Sequence, residues 1–314
     1  MQKTAFIFLI CKNKNIWYDI TMEIKIAEIC GLCSGCRRAI NRVINTINDG
    51  KNVTIFKEIV HNKNTNNFLL ALGARTENDI DKLSQDSIAI IRGHGEPPTT
   101  YDILNKKGVP YLDCTCPNVE NIHNKVKEYS LKGYEIIILG KYKEKMHPEV
   151  EGTIGWAKST ILIQDESDLT KLNDIKNKKL YLVCQTTFNI SLAEILTQKI
   201  ENIAKQNNCE IIINKSMCTA QIEINKSSID LAKSVDVMII VGGKNSSNTK
   251  ELYNNLSTVC PSIFIEDIYS YKDALKDASI NITKDSIIGL TAGASTMREE
   301  LLSLKKVIER DFNK

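Results

Sequence analysis

From Met22 onward the chain alternates short apolar runs with stretches whose apolar residues recur at helical spacing. The runs Glu23–Ile29, Val53–Val60, Ser87–Arg92, Tyr111–Cys114, Tyr134–Leu139, Leu180–Val183, Glu210–Ile213, Val235–Val241, Ser262–Ile265 and Ser286–Leu290 are rich in Ile and Val. Runs of about four to eight such residues predict buried strands. Between them, Arg37–Asn48, Val119–Leu131, Leu192–Lys205, Asn225–Lys233 and Met297–Glu309 are amphipathic, and Thr249–Leu256 is a further helix candidate. Strand–helix alternation of this kind predicts an α/β fold of largely parallel sheets. The polar motifs follow the predicted strands: Gly31–Gly35, His61-Asn62, Gly93-His94-Gly95, Thr115-Cys116-Pro117, Gln185-Thr186-Thr187, the Asn245–Asn248 run and Gly293-Ala294-Ser295. In open α/β sheets ligands bind beyond the carboxyl ends of the strands, so these motifs lie where chemistry is expected.

Length divides this pattern into domains. The 314 residues carry 42% hydrophobic and 25% charged residues, an ordinary globular balance that excludes global disorder. With 15 glycines, 6 prolines and no long Gly/Ser linker, three packed α/β units are expected, over residues 22–114, 115–215 and 216–314. Residues 1–21 read as a dispensable extension before Met22. Their apolar run, Ala5–Cys11, is far below the ~20 residues that span a bilayer and has no cleavage-site pattern after it, so a cytoplasmic protein without a membrane partner is expected. Charge is nearly balanced, 41 Lys+Arg against 38 Asp+Glu for a net +3, which argues against a nucleic-acid partner and leaves a small anionic ligand open.

The chemistry begins with ten cysteines. Cys33, Cys116 and Cys218 each fall at a strand end, 83 and 102 residues apart, one in each third of the chain. If three such units face a common axis, three thiolates converge, and soft sulfur donors select an iron–sulfur cluster. With four irons and three cysteines, one iron stays open to substrate. Two other readings stand beside this one. Each Cys can be a small buried hydrophobe, and Cys30, Cys33 and Cys36 form a C-x2-C-x2-C run that could hold zinc or a cluster locally in a metal-binding or redox-sensing protein.

Three of the four histidines, His61, His94 and His147, fall in loops at strand ends, where imidazoles can donate to phosphate oxygens. His123 lies inside a predicted helix and reads as a helix-face residue. Ser246, Ser247, Asn248 and Ser295 precede helices; they suit N-caps, and equally the anion site that a helix N-terminus makes. There is no Walker motif and no G-x-G-x-x-G, so that type of NTPase and a Rossmann dinucleotide site are unsupported. Glu149 follows a proline in a predicted loop, where a carboxyl can act as a general acid, and Thr186 can add a hydroxyl relay.

Taken in order, Gly31–Gly35, Glu58–Asn62, Arg92–Gly95, Asp113–Pro117, His147–Gly152, Gln185–Thr187, Asn245–Asn248 and Thr291–Ser295 resemble the 4-hydroxy-3-methylbut-2-enyl diphosphate reductase (IspH/LytB) family from about Met22 to the C-terminus. The resemblance implies three similar α/β domains in a trefoil around a central [4Fe-4S] cluster held by Cys33, Cys116 and Cys218. It implies His61, His94, Ser246, Ser247, Asn248 and Ser295 as binders of an allylic diphosphate and His147 as a pocket histidine. Glu149 matches the proton donor, with Thr186 and Gln185 as its hydrogen-bonding neighbours. The implied reaction, the last step of the non-mevalonate isoprenoid pathway, removes an allylic hydroxyl with two protons and with two electrons passed through the cluster from ferredoxin or flavodoxin. Departures accompany the match: Cys36 and Cys114 stand where the family usually has Val and Ala, Met297 stands for a proline, and the C-x-A-T pattern expected after Cys218 is missing.

Overall fold

The computed structural model describes residues 22–244 and 246–312, with only the backbone of Ser247. The extension 1–21, Asn245 and the Ser247 side chain lie outside what is described. In chain order the elements are β1 (Glu23–Ile26), α1 (Ser34–Asn48), β2 (Val53–Phe56), α2 (Lys63–Ala71), β3 (Arg75–Glu77), β4 (Ile88–Ile91), α3 (Pro98–Lys107), β5 (Tyr111–Asp113) and α4 (Pro117–Leu131). They continue with β6 (Glu135–Leu139), α5 (Pro148–Ile154), β7 (Thr160–Ile163), β8 (Lys179–Cys184), α6 (Ile190–Gln206), β9 (Glu210–Asn214) and α7 (Thr219–Ala232). The last are β10 (Val237–Val241), α8 (Ser247–Ser257), β11 (Ser262–Ile265), α9 (Tyr271–Asp277), β12 (Ile287–Ala292) and α10 (Arg298–Phe312).

Among the described residues the strands form three four-stranded sheets, ordered β3-β2-β4-β5, β7-β6-β8-β9 and β11-β10-β12-β1, every pair parallel. The expected α/β class is what the chain adopts, as three similar parallel sheets. Both faces of each sheet are covered, which is why the inner strands read as unbroken apolar runs. In β6, Ile137 and Leu139 pack with Leu196 and Ile200 of α6, while Ile136 and Ile138 pack with Ile122 and Val126 of α4. In β10, Ile239 and Val241 meet Leu301, Leu304 and Ile308 of α10, and Met238 and Ile240 meet Leu252 and Leu256 of α8. Each such side chain contributes about 1.5–3 kcal/mol by leaving water.

The chain forms two compact units. One comprises residues up to Ser34, His61–Thr65 and Ala220 onward, and the other Gly35–Val60 and Asn66–Thr219. The first holds the β11-β10-β12-β1 sheet, the second the other two. The segments 22–114, 115–215 and 216–314 keep β2–β5, β6–β9 and β10–β12 apart. β1, within the first segment, hydrogen-bonds to β12 instead, from Glu23 opposite Ile287 to Ile26 opposite Leu290. Met22 and Ile24 bury in the same core as Leu290 and Leu301. β1 therefore fills the outer place that β5 and β9 fill in the other sheets. All three sheets reverse strand order at one point, between β2 and β4, β6 and β8, and β10 and β12, which is where ligands bind in such sheets.

Two strands, β3 and β7, extend the expected set, and both lie at sheet edges. The first strand ends at Ile26, three residues earlier than its apolar run, and Gly31 (φ 75°) lies in the turn that leads to α1. Among the described residues no helix is long and apolar enough to cross a membrane.

Candidate active site

The second unit places its chemistry at the β6–β8 reversal. Pro148 opens α5 with its fixed φ, and His147 is the N-cap. Glu149 is therefore in the first turn of a helix, not in the loop expected from sequence; the seven residues Pro148–Ile154 are too short for helical periodicity to show. The carboxyl is 2% exposed. One oxygen accepts the Thr186 backbone N–H at 2.5 Å and the other the Thr186 hydroxyl at 2.7 Å. Burial pushes the Glu149 pKa up to about 7, and the two Thr186 donors, which favour the charged form, hold it from rising further. A carboxyl poised there can give and regain a proton near neutral pH.

Thr186 owes its position to Gln185. The Gln185 N–H continues the ladder to the Leu139 carbonyl at 2.8 Å. Its side-chain oxygen accepts the Lys141 N–H at 3.0 Å, and its amide donates to the Thr187 hydroxyl at 2.7 Å. Gln185 thus ties the ends of β6 and β8 together and makes no bond to Glu149. His147 Nδ1 accepts the Glu149 backbone N–H at 3.2 Å, so the neutral ring carries its proton on Nε2. The His94 ring meets it edge to face, centroids 5.5 Å apart.

His94 rides on a turn held by groups that sequence patterning does not connect. Gly95 has φ 73°, and a Cβ there would lie 2.4 Å from His123 Cε1. His123 is on α4 as expected, but it faces inward and stacks on Trp156 at 5.4 Å, and burial drives its pKa down to about 4, keeping it neutral. Trp156 Nε1 donates to the Glu96 carbonyl at 3.2 Å. The buried Glu96 carboxylate accepts Lys57 Nζ at 2.9 Å and Arg92 Nε at 2.9 Å. Lys57 and Glu96, with Arg92 of the Arg92–Gly95 motif, support the candidate site, and sequence reasoning gave none of the three a role. Lys57 and Glu96 are 39 residues apart, and the signal that could have marked Lys57, its φ of 66°, is a backbone property.

Two of the candidate cysteines lie in this unit. Cys116 is the N-cap of α4, its N–H bonded to the Gly93 carbonyl at 2.9 Å. The Cys218 N–H donates to the Thr186 carbonyl at 2.8 Å, and Cys218 Sγ accepts Asn118 Nδ2 at 3.3 Å. Cys218 is thereby brought against the first turn of the helix that Cys116 begins. Both are half-buried, at strand ends, and so accessible as soft donors. Cys114 and Cys184 are core thiols that burial pushes up to about 11 and about 12.

The first unit gathers a different set. Cys33 follows Gly31 into the loop beside Ala294, to whose carbonyl its N–H donates at 3.1 Å. Cys30 is buried in the core of this unit, its thiol donating to the Ala27 carbonyl at 3.2 Å and pushed upward by burial. Cys36, in the other unit, sits in the first turn of α1. His61 follows β2 in sequence but joins the ends of β10 and β12. Asn62 caps α2 by accepting the Thr65 N–H at 2.9 Å and donates to the Thr296 hydroxyl at 3.0 Å. The Thr65 hydroxyl donates to the Ser295 carbonyl at 3.2 Å, and the Ser295 hydroxyl to the His61 carbonyl at 3.5 Å. Gly243 makes this approach possible, since a Cβ there would stand 2.4 Å from the His61 carbonyl oxygen. Ser246 is the buried N-cap of α8, accepting the Thr249 N–H at 3.3 Å and hydroxyl at 3.0 Å, which leaves its own proton to donate elsewhere. Asn248 is half-buried in the same first turn, and Ser247 opens the helix. Hydroxyls, an amide and helix N–H groups of this kind are chemically suited to an anion.

A family model described as LytB protein matches residues 24–309. A 4-hydroxy-3-methylbut-2-enyl diphosphate reductase of Clostridioides difficile is 36% identical over 281 residues, covering 88% of this chain and 95% of that protein. One from a Thermoanaerobacter species is 37% identical over 285 residues, covering 88% and 92%. Among solved structures, the E-1-hydroxy-2-methyl-but-2-enyl-4-diphosphate reductase from Plasmodium falciparum is similar with a TM-score of 0.77 at 28% identity, covering 91% of this chain and 88% of that one.

Proposed function

The chain belongs to the LytB protein family, and from that premise we propose that it reduces 4-hydroxy-3-methylbut-2-enyl diphosphate to isopentenyl and dimethylallyl diphosphate. The reaction breaks the allylic C–O bond, releases the oxygen as water and forms a C–H bond, consuming two electrons and two protons. The observation that carries this reading is the buried Glu149 carboxyl, held by both donors of Thr186 while the Thr186 carbonyl holds Cys218.

Cys33, Cys116 and Cys218 are the residues that would hold the cluster, and their donor chemistry fits it: thiols at strand ends outside the hydrophobic cores, unlike Cys30, Cys114 and Cys184. When bound, a [4Fe-4S] cluster supplies the electrons and a Lewis-acidic iron. The remaining work falls to the protein. His61, Ser246, Ser247, Asn248 and Ser295 bind the diphosphate through imidazole, hydroxyl and amide donors and the α8 N-terminus, with His94 as a further donor. His147 presents Nε2–H to the substrate. Glu149 delivers the proton that turns the leaving hydroxyl into water, and Thr186 keeps its carboxyl in place and tunes its pKa. Gln185 positions Thr186. The same reading makes the three sheets three domains and includes a cytoplasmic setting with ferredoxin or flavodoxin as donor.

The test is anaerobic. Protein reconstituted with iron and sulfide is given the hydroxylated diphosphate and a low-potential donor, and both isomers should form. Cluster-loaded protein that binds the substrate without turnover would contradict the reading. Zinc without acid-labile sulfide would replace it with a zinc or redox-sensing protein.

A further inference from the structure

The contact between Asn118 and Cys218 is not used by the substrate binding and proton transfer proposed above. Cys116 is the N-cap of α4 and Pro117 opens it, and Glu120 N–H is bonded to the Cys116 carbonyl at 2.8 Å, so Asn118 stands within the first turn of the helix. It is exposed, and its amide reaches 100 residues along the sequence to Cys218 Sγ at 3.3 Å. Cys218 is fixed from the other side, since its N–H is on the Thr186 carbonyl at 2.8 Å. The backbone of Cys218 is therefore set by the β8 end and its sulfur by α4.

We propose that Asn118 is a positioning and tuning residue, which holds Cys218 Sγ in its iron-ligating orientation and raises the reduction potential of the bound cluster through its N–H···S hydrogen bond. The inference rests on the reading of Cys218 as an iron ligand. An N–H directed at a ligating thiolate withdraws negative charge from it, which favours the more reduced, more negative cluster; hydrogen bonds to the sulfurs are among the groups that set such potentials. The amide can serve a thiolate only with Nδ2 toward sulfur, because Oδ1 is an acceptor. Two substitutions that keep the side chain's branched shape separate donor from charge: N118L removes the N–H, and N118D replaces it with a carboxylate facing the thiolate. As the side chain is exposed, neither creates a core cavity.

The experiment is a mediated redox titration of the reconstituted protein, followed by EPR, with iron and sulfide per chain and iron loss to a chelator measured on the same samples. Both variants should have lower midpoint potentials than the parent, N118D the lowest, and both should release iron faster. Parent-like potential and parent-like iron loss in both variants would overturn the proposal while leaving the cluster reading intact. A parent protein that takes up no iron and sulfide would overturn both. If N118L loses iron rapidly at an unchanged potential, the tuning half is wrong and only positioning survives.

Discussion

The ends of β6 and β8 in one unit and of β10 and β12 in the other hold the same topological position, yet the side chains there solve different problems. At β10 and β12 the groups are Ser246, Ser295 and the N–H groups of α8, which donate hydrogen bonds without changing charge, together with His61 drawn in from the end of β2. At β6 and β8 the central group is Glu149, a buried carboxyl whose charge changes near neutral pH. A surface that must hold a charged ligand at every pH gains from neutral, pre-aimed donors. A group that must hand over a proton gains from a pKa near the working pH, and burial achieves that shift at the cost of stability. One strand arrangement thus supports either task, and the loop residues decide which.

The comparison predicts effects that differ in kind as well as size. E149Q should lower kcat by about a thousandfold with KM little changed, since a general acid contributes about 10²–10⁴ in rate. It should also stabilise the protein. A raised carboxyl pKa means the folded state holds its proton longer than the unfolded one, so stability is lost as pH rises from the ordinary carboxyl range through about 7. The glutamine avoids this, and denaturant unfolding of the apo chain should show a gain of up to about 3 kcal/mol above neutrality. E96A should do the reverse. Removing the carboxylate strands the Lys57 and Arg92 charges and should cost about 3 kcal/mol in the same measurement. H61A should raise KM by about 10–100-fold, the loss of a hydrogen bond to a charged group, and leave the pH dependence of kcat where it was. A shift of that pH dependence in H61A would break the separation between the two regions.

Much of this architecture is legible in the amino-acid pattern alone. Inner strands buried on both faces announce themselves as Ile/Val runs, as at Glu135–Leu139 and Val237–Val241. Polar motifs after such strands mark the reactive ends of the sheets. Edge strands are harder: the three residues of β3, Arg-Thr-Glu, are largely exposed and carry no apolar signal. The pairing of β1 with β12 joins opposite ends of the chain, and no local pattern encodes such a partner. The same holds for His61, which sequence places after β2 and the Asn62–Thr296 bond ties to the end of β12. His123 shows the limit of periodicity. A lone imidazole on an amphipathic helix looks like a surface residue, and only the Gly95 turn and the Trp156 ring that cover it reveal its burial.

The central claim is that Glu149 supplies the proton and Thr186 sets when it can. Because the Thr186 hydroxyl donates to the charged carboxylate, it lowers the Glu149 pKa, and T186V should raise it while keeping the backbone N–H in place. The deciding measurement is the pH dependence of kcat at saturating substrate for the parent and T186V. The account predicts activity that falls as pH rises through about 7 in the parent, and a fall displaced to higher pH in T186V. A falling limb at the same pH in both proteins would contradict it.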